Sequence, residues 1–183
     1  MELPEMLLIG GATRNVGKTS LTVKVIKAFA HETVVALKIK TIYPNDTFFH
    51  GQKDKVVLET DYRIIEEINA NGTDDTNLML NAGATRVFRI SCKVHAIGEA
   101  FDSLIDNYLG TKPYCFICES NSLRKVLTPG VYIMIKHANN SDMKPSATEM
   151  EKHADVIIYT DGNSHNFNVD HLSFKNNTWR LKK

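Results

Sequence analysis

The stretch LLIGGATRNVGKTSL, residues 7–21, joins a short apolar run to a helical pattern through a glycine-rich loop. The run EMLLIGG is typical of a buried strand, and apolar side chains recur at helical spacing after the loop, at Leu21, Val25 and Ile26. The β-branched run TVVALKIKTIY, residues 33–43, predicts a second strand, which runs parallel to the first because a helix separates them. The chain therefore begins with a βαβ unit.

The rest of the chain continues this alternation of strand and helix patterns. Strands are predicted for TRVFRIS, PYCFICES, VYIMIK and DVIIYT. Helices are predicted for ETDYRIIEEINAN, for DTNLMLNA up to Gly83, for the apolar stripe in residues 96–109 up to Gly110, and for SATEMEKHA with Ser146 as its cap. PNDTFFHGQKDKV is predicted to be an exposed loop, SLRKVLTPG a short helix or turn, and the tail a hairpin around Asn176 and Asn177.

Alternating strands and helices predict an α/β fold: a three-layer, doubly wound, mostly parallel sheet with a C-terminal β-hairpin. With 183 residues, the chain is too short for two ordinary domains, so residues 1–183 are expected to form one. The net charge of +1 provides no general field for nucleic acid or an anionic membrane. No apolar run approaches the roughly 20 residues that span a bilayer, and the acidic N-terminus lacks a signal-peptide pattern. We therefore expect a cytoplasmic protein that binds neither nucleic acid nor membrane.

The glycine-rich loop nearly matches the phosphate-loop pattern GxxxxGK[ST], which fails by one position because Ala12 stands where the first glycine is expected. A phosphate site needs backbone N–H groups and the positive end of a helix dipole. Lys18 would add a point charge for the β and γ phosphates, and the Thr19 hydroxyl would coordinate Mg²⁺. A plain strand-to-helix turn is the alternative, but a lysine in the first helical turn opposes the dipole. The predicted nucleotide-binding residues are Gly11, Ala12, Thr13, Arg14, Asn15, Val16, Gly17, Lys18, Thr19 and Ser20.

Charged residues at strand ends provide the other predicted parts of the site. Glu119 ends the strand PYCFICES and is predicted to hold Mg²⁺ or its water, the alternative being an exposed strand-end glutamate. Lys38 and Lys40 share one side of the second strand and are predicted to converge on an anion, with Lys40 nearer the site. An edge strand protected by lysines would show the same pattern. Catalytic roles are predicted for Lys18, Lys40 and Glu119.

Two further patterns leave alternatives open. Cys115 and Cys118 lie three apart in a predicted strand, where their side chains point to opposite faces, so buried thiols are favoured over a redox or metal pair. The segment IMIKHANNSD contains three residues able to hydrogen-bond a nucleotide base, and a polar surface loop would have the same composition. These residues are Asn139, Asn140 and Asp142.

The loop GATRNVGKTS resembles the phosphate loop of dethiobiotin synthetase and its relatives, which place a glycine one residue earlier, here Gly11. Together with VVALKIKT, DDTNLMLNAGATRV and FICES, it also resembles the GTP-binding adapter family of molybdopterin-guanine dinucleotide biosynthesis, a family of SIMIBI-class P-loop NTPases. This chain departs from that family in TIYPNDTFFH, which lacks a histidine-rich stretch, and in Ser120, where the family has glycine. By this resemblance Asp75 is a second Mg²⁺ contact, and a helix cap is the alternative.

These observations lead to one functional expectation and two alternatives. The resemblance implies a Mg²⁺-dependent nucleoside-triphosphatase that binds GTP or ATP and serves molybdenum-cofactor maturation, with a molybdenum-cofactor enzyme or another protein as its partner. A homodimer is expected, because a chain this small leaves one face of the site open. The alternatives are an ATP-dependent ligase or kinase similar to dethiobiotin synthetase, acting on a small carboxylate, and a non-catalytic nucleotide-binding module.

Overall fold

The computed structural model describes residues 1–43, 59–110, 113–139, 142–162, 165 and 167–182. The strands are β1 (Glu2–Gly11), β2 (Val34–Ile42), β3 (Tyr62–Glu66), β4 (Arg86–Lys93), β5 (Cys115–Glu119), β6 (Thr128–His137), β7 (Val156–Thr160), β8 (Leu172–Lys175) and β9 (Thr178–Leu181). The helices are α1 (Lys18–Ala28), α2 (Asp75–Asn81), α3 (Ile97–Leu104) and α4 (Pro145–Glu151). Short 3₁₀ turns lie at Val94–Ala96, Ser122–Lys125 and Val169–His171, and α3 continues into a π-helical turn at Ile105–Leu109.

Seven strands form one sheet in the order β3-β4-β2-β5-β1-β6-β7. Among the described pairings in this sheet, β3 with β4 is antiparallel and the others are parallel. β8 and β9 form a separate antiparallel hairpin. The predicted fold class, a mostly parallel α/β sheet with a C-terminal hairpin, is confirmed.

The sheet is covered on both faces, which gives three layers. One face packs on α3 and α4 through side chains such as Met6 and Leu8, and the other packs on α1 and α2 through the alternate residues Leu7 and Ile9. Trp179 of the hairpin is buried in the second cluster, and its indole N–H donates to the carbonyl of Phe116 at 3.1 Å. None of the helices in the described part of the chain is long and apolar enough to span a bilayer.

The CFIC segment follows the predicted strand geometry. Cys118 is buried in the core cluster on one face of the sheet and Cys115 in the cluster on the other. The cysteines are free thiols, and burial raises the pKa of Cys92 to about 11. The prediction that Cys115 and Cys118 point to opposite faces is confirmed.

The helix predicted for ETDYRIIEEINAN is wrong, because residues 62–66 form the edge strand β3. Ile64 packs against the core, whereas Ile65 is 43% exposed and Ile68 is 90% exposed. Burial alternates along Tyr62–Glu66 with the period of a strand, and Ile68 lies beyond the end of that strand, so a three-isoleucine stripe does not exist. Pairing with β4 and an ion pair between Glu66 and Arg86, with nitrogen–oxygen distances of 2.6 and 2.7 Å, hold the segment at the sheet edge.

The start of α4 also differs from the prediction. The helix begins at Pro145 and its N-cap is Lys144, so Ser146 lies inside the helix and does not cap it. Proline suits the first helical position because it has no N–H to satisfy and its φ angle is already helical.

At the ends of the other helices and strands, the turn residues adopt the conformations predicted from the sequence. Asn176 and Asn177 adopt φ angles of 52° and 56°, as a tight two-residue hairpin requires, and Gly83 and Gly110 follow helices with positive φ. The short helix or turn predicted for SLRKVLTPG is present as the 3₁₀ turn Ser122–Lys125. The predicted loop PNDTFFHGQKDKV lies outside the described residues.

Candidate functional site

The glycine-rich loop connects the carboxyl end of β1 to the first residue of α1, at the centre of the sheet. Gly17 is the N-cap of α1 and has a φ angle of 89°, a conformation that favours glycine. At Gly11, a Cβ atom would lie 2.6 Å from Cγ1 of Val16 and 2.8 Å from Cδ of Lys18. A side chain at position 11 would collide with residues of the loop that fold back over it, so this position requires glycine.

The next residue is fixed by its backbone. The N–H of Ala12 donates to the carbonyl of Ile135 in β6 at 2.8 Å, and its carbonyl accepts from the N–H of Lys144 at 2.9 Å. Ala12 is buried, so its methyl group packs where the loop leaves the sheet. The loop is thus tied to β6 and to the start of α4.

Lys18 holds its ammonium group inside the loop. Its Nζ donates to the carbonyl of Thr13 at 3.0 Å. Burial is the largest influence on the pKa of Lys18 and lowers it, and the charges of Lys38 and Arg14 act in the same direction. The carboxylates of Glu119 and Asp75 offset this only in part, so the pKa is lowered. An ammonium group that is desolvated in this way gains much from an anion in the loop.

Three oxygen-bearing side chains meet beside the loop. The Thr19 hydroxyl lies 3.0 Å from Oδ1 of Asp75 and 3.0 Å from Oε2 of Glu119. Glu119 is 2% exposed, so the alternative of a solvent-exposed strand-end glutamate is wrong. The three residues come from α1, α2 and the end of β5, so the fold brings together parts of the chain up to 100 residues apart.

Lys38 lies between the two carboxylates. Its ammonium contacts Oε1 of Glu119 and lies 2.8 Å from Oδ2 of Asp75. Burial acts to lower the pKa of Lys38, but the carboxylates of Glu119 and Asp75 outweigh it and raise the pKa above its ordinary value. Burial acts to raise the pKa of Asp75, but Lys38, with smaller contributions from Thr19 and Arg89, outweighs it, so the pKa of Asp75 is lowered. A positive charge is therefore stable at this point.

The donor set fits Mg²⁺. Two carboxylates and a hydroxyl are hard oxygen ligands, which Mg²⁺ prefers. Within the described residues no group of three or more histidine, cysteine, aspartate or glutamate side chains could hold a metal, so a zinc-type ligand set is not present there. If Mg²⁺ binds, Thr19, Asp75 and Glu119 are the residues that would hold it or its waters.

Two alternatives from the sequence are corrected by these positions. The N-cap of α2 is Asp74, whose backbone N–H donates to Oδ1 of Asn77 at 3.0 Å, so the helix-cap alternative for Asp75 is wrong. β2 lies between β4 and β5, so the edge-strand explanation of its lysines is wrong as well. We expected Lys40 to lie nearer the site, but it is Lys38 that contacts the carboxylates.

An open cleft of about 1040 Å³ extends from the loop across the carboxyl ends of β2 and β5 to the start of α4. Seven predicted nucleotide-binding residues line it: Gly11, Arg14, Asn15, Gly17, Lys18, Thr19 and Ser20. Lys38, Lys40, Asp75 and Glu119 line it too. Among the described candidates for base recognition, Asn139 and Asp142 do not line the cleft, and Asn140 lies outside the described residues.

Among the cleft residues to which sequence reasoning gave no role, Asn121 and Lys144 have the clearest effect on the site. Asn121 accepts from the N–H of Gly11 at 2.8 Å and donates to its carbonyl at 3.0 Å, which clamps the first residue of the loop. Lys144 lines the cleft, and burial, followed by the charges of Lys18, Arg14 and Lys38, lowers its pKa to about 8. The signal for Lys144 was Pro145, which as a first helical residue places the preceding side chain at the helix start.

The sheet, the glycine-rich loop at the end of β1 and the helix α1 that follows it form a three-layer, mostly parallel α/β fold. A crystal structure of the "apo" form of LpxK from Aquifex aeolicus, in complex with ATP, has this fold, with a TM-score of 0.55 and 17% sequence identity over 92% of this chain and 52% of that one. The chain thus spans about half the length of LpxK. Comparisons with models of known protein families and with curated protein sequences give no match.

Proposed function

We propose that this protein binds a nucleoside triphosphate together with Mg²⁺ and hydrolyses it. The observation that carries the proposal is the meeting of the Thr19 hydroxyl with the buried carboxylate of Glu119 and with Asp75, in the cleft that Lys18 also lines. A polyanion in the loop would find backbone amides, a helix N-terminus and Lys18. Its metal ion would find three oxygen ligands.

The chemistry requires no nucleophilic side chain. Phosphoryl transfer to water is accelerated mainly by positioning and by electrostatic stabilisation of the charge on the transferred group. Lys18 would stabilise the β and γ phosphates, and Lys38 or Lys40 would face the terminal phosphate. Mg²⁺, when bound, would neutralise charge that develops on the phosphate oxygens.

Base identity and biological role are finer proposals. The likeness to an ATP-bound protein supports ATP as a ligand to test, and the resemblance to the molybdopterin-guanine dinucleotide adapter family supports GTP. That resemblance also supports an adapter role in molybdenum-cofactor maturation, with a protein partner and a homodimeric state. Slow hydrolysis without a second substrate would favour the adapter role, whereas phosphate transfer that depends on a second substrate would favour the ligase or kinase alternative.

A thermal-shift panel tests the proposal. At about one hundred times the dissociation constant, a ligand that binds only the folded state adds about 2.7 kcal/mol to the unfolding free energy, which raises the melting temperature by about 5–10 °C in a domain of this size. We expect such a shift with ATP or GTP plus Mg²⁺, and a smaller one when EDTA is added. No shift with any triphosphate would contradict the proposal, and phosphate release measured on the stabilising nucleotide distinguishes turnover from binding alone.

Lys144 makes nucleotide binding depend on pH. The pKa of Lys144 is about 8 in the folded protein, below its ordinary value of 10.5, because of burial and neighbouring cations. A polyanion in the cleft raises this pKa again, so binding above about pH 8 takes up a proton and weakens as the pH rises. The unfolded chain binds more protons between about pH 8 and 10.5, so in the nucleotide-free protein this group adds to the unfolding free energy as the pH rises through that range.

Calorimetry near pH 7 and near pH 9, in two buffers of different ionisation enthalpy, measures this proton uptake. We expect uptake near pH 9 in the wild-type protein and its loss in Lys144→Met. Lys152→Met is the matched control, because Lys152 is exposed at the other end of α4. Equal proton uptake in Lys144→Met and the wild type would contradict the prediction.

A further inference from the structure

Four polar side chains share one face of the sheet next to the proposed nucleotide site. In the parallel pairing of β2 with β4, Lys38 lies opposite Arg89 and Lys40 lies opposite Ser91. Alternate residues of a strand point to the same face, so these four side chains form a square on two adjacent strands. The square lies at the carboxyl ends of these strands, where α/β sheets bind their ligands.

The same face is apolar nearer the other end of these strands. Val34 and Ala36 of β2 and Val87 of β4 are fully buried in the cluster under α1 and α2. The change from this apolar region to three cations and a hydroxyl occurs within two residues along each strand. Packing of the sheet does not require that change, because other residues in the same alternation are buried and apolar.

The charges of the square are unevenly neutralised. Lys38 is paired with Asp75 and Glu119. Nη2 of Arg89 lies 3.1 Å from the Thr76 hydroxyl and 3.4 Å from Oδ2 of Asp74, whose side chain is 59% exposed. A long ion pair with an exposed carboxylate contributes little, and like charges directly opposite on neighbouring strands are destabilising. Glu67 and Asp75 also interact with the charge of Arg89, and an anion in the cavity would offset the positive charge that remains.

A cavity of about 260 Å³ lies over the square. It is lined by Lys40, Arg89, the hydroxyl-bearing residues Thr73 and Ser91, and the carboxylates of Asp74 and Asp75, and it shares Lys38, Lys40 and Asp75 with the larger cleft. The three cations of the lining outnumber its two carboxylates, so an excess of positive charge remains. Its volume is below the usual 300–1,000 Å³ of drug-sized sites, so it suits a small molecule. A guanidinium binds oxyanions with geometric specificity through its planar set of donors, and an ammonium and hydroxyls add positive charge and further hydrogen bonds.

We propose that this second cavity binds a compact oxyanion, the phosphate or carboxylate group of a small second ligand. Arg89 provides the guanidinium fork, Lys40 adds charge, and Ser91 offers a hydroxyl from the neighbouring position of β4. The cavity and the phosphate loop lie on opposite sides of the Lys38–Asp75 pair, so the second ligand would lie beside the triphosphate. This part of the inference rests on the proposed function. Binding of the oxyanion itself does not.

Calorimetric titration of inorganic phosphate and of malonate tests the proposal in two forms of the full chain. One is the wild type saturated with Mg²⁺ and a non-hydrolysable triphosphate. The other is nucleotide-free Lys18→Ala, in which the phosphate loop is disabled. Arg89→Gln is added to each form, and Arg63→Gln is the matched control, because Arg63 lies opposite Ser91 on β3 but does not line the cavity.

We expect at least one of the two oxyanions to bind in both forms, with affinity reduced about tenfold or more by Arg89→Gln and less than about twofold by Arg63→Gln. Preference for phosphate or for malonate identifies the class of ligand. Triphosphate affinity is expected to stay within about twofold in Arg89→Gln, since that residue does not line the larger cleft. Absence of binding in both forms, or equal binding in Arg89→Gln, overturns the inference. If the triphosphate fails to bind but the oxyanion binds to nucleotide-free protein through Arg89, the proposed function fails and the second cavity remains.

Discussion

Replacing Lys18 by alanine is expected to weaken binding of the Mg²⁺–triphosphate complex by about a hundredfold or more. The ammonium group is held at the carbonyl of Thr13, inside the loop that would surround the phosphates. Each hydrogen bond from a charged donor contributes about 1.5–3 kcal/mol, and this ammonium would face two phosphates. Calorimetric titration of the nucleotide that gives the largest thermal shift measures the effect.

The same variant is expected to keep or slightly increase the free energy of unfolding of the nucleotide-free protein. Burial lowers the pKa of Lys18, which means that its charge is held in the folded state at a cost. Lys27→Ala is the matched control, because Lys27 is exposed in the last turn of the same helix. The site assignment would be wrong if Lys18→Ala bound nucleotide as tightly as Lys27→Ala.

The contact between Thr19 and Glu119 illustrates what could be predicted from the sequence. The pattern of strands and helices predicts parallel strands, and parallel strands place their carboxyl ends at one edge of the sheet. A loop after the first strand and a glutamate at the end of another therefore lie at the same edge, whatever the details of side-chain packing. The observed distance of 3.0 Å agrees with that expectation.

The positions of Lys38 and Lys40 illustrate what could not be predicted from the sequence. Strand alternation indicates that both lysines share one face. Which of them lies next to Glu119 depends on the register of β2 with β5. In the structure Lys38 lies opposite Glu119, and Lys40 lies two residues further along the strand. Register depends on packing between distant segments, so local pattern alone could not choose between the two lysines.

Edge strand β3 and the hydrogen bonds between Asn121 and Gly11 could not be predicted from the sequence for the same reason. Ile64, Ile65 and Ile68 satisfy a helical pattern, but pairing with the edge of β4 makes residues 62–66 a strand. Asn121 binds both backbone groups of Gly11, a residue 110 positions away. Neither interaction has a local signature, because both depend on the order of strands in the sheet.

Replacing Glu119 by glutamine is expected to lower the free energy of unfolding by about 3 kcal/mol. The carboxylate of Glu119 is 2% exposed and is paired with Lys38, and removing one partner of a buried ion pair leaves the other poorly compensated. Glutamine keeps the shape and can still accept a hydrogen bond from Thr19. Urea denaturation, compared at equal slopes, measures the loss.

A double-mutant cycle separates the ion pair from other effects of the substitution. Lys38→Met is also expected to destabilise the protein, because it leaves the buried carboxylate of Glu119 without its cation. The double variant Glu119→Gln/Lys38→Met is expected to be more stable than the sum of the single effects by about 0.5–3 kcal/mol. Additive losses would show that the two residues do not act as a pair.

The same glutamine variant addresses the metal. If Glu119 holds Mg²⁺ or its water, the increase in triphosphate affinity that Mg²⁺ produces in the wild type should fall to less than about a tenth in Glu119→Gln, since an amide oxygen is a weaker ligand for Mg²⁺ than a carboxylate. Titrations with Mg²⁺ and with EDTA give this ratio for each protein. Glu151→Gln is the control, because that glutamate is paired with Lys136 at 2.6 Å and does not line the cleft. An unchanged Mg²⁺ effect in Glu119→Gln would mean that Lys38, and not a metal ion, is the cation these carboxylates hold throughout nucleotide binding.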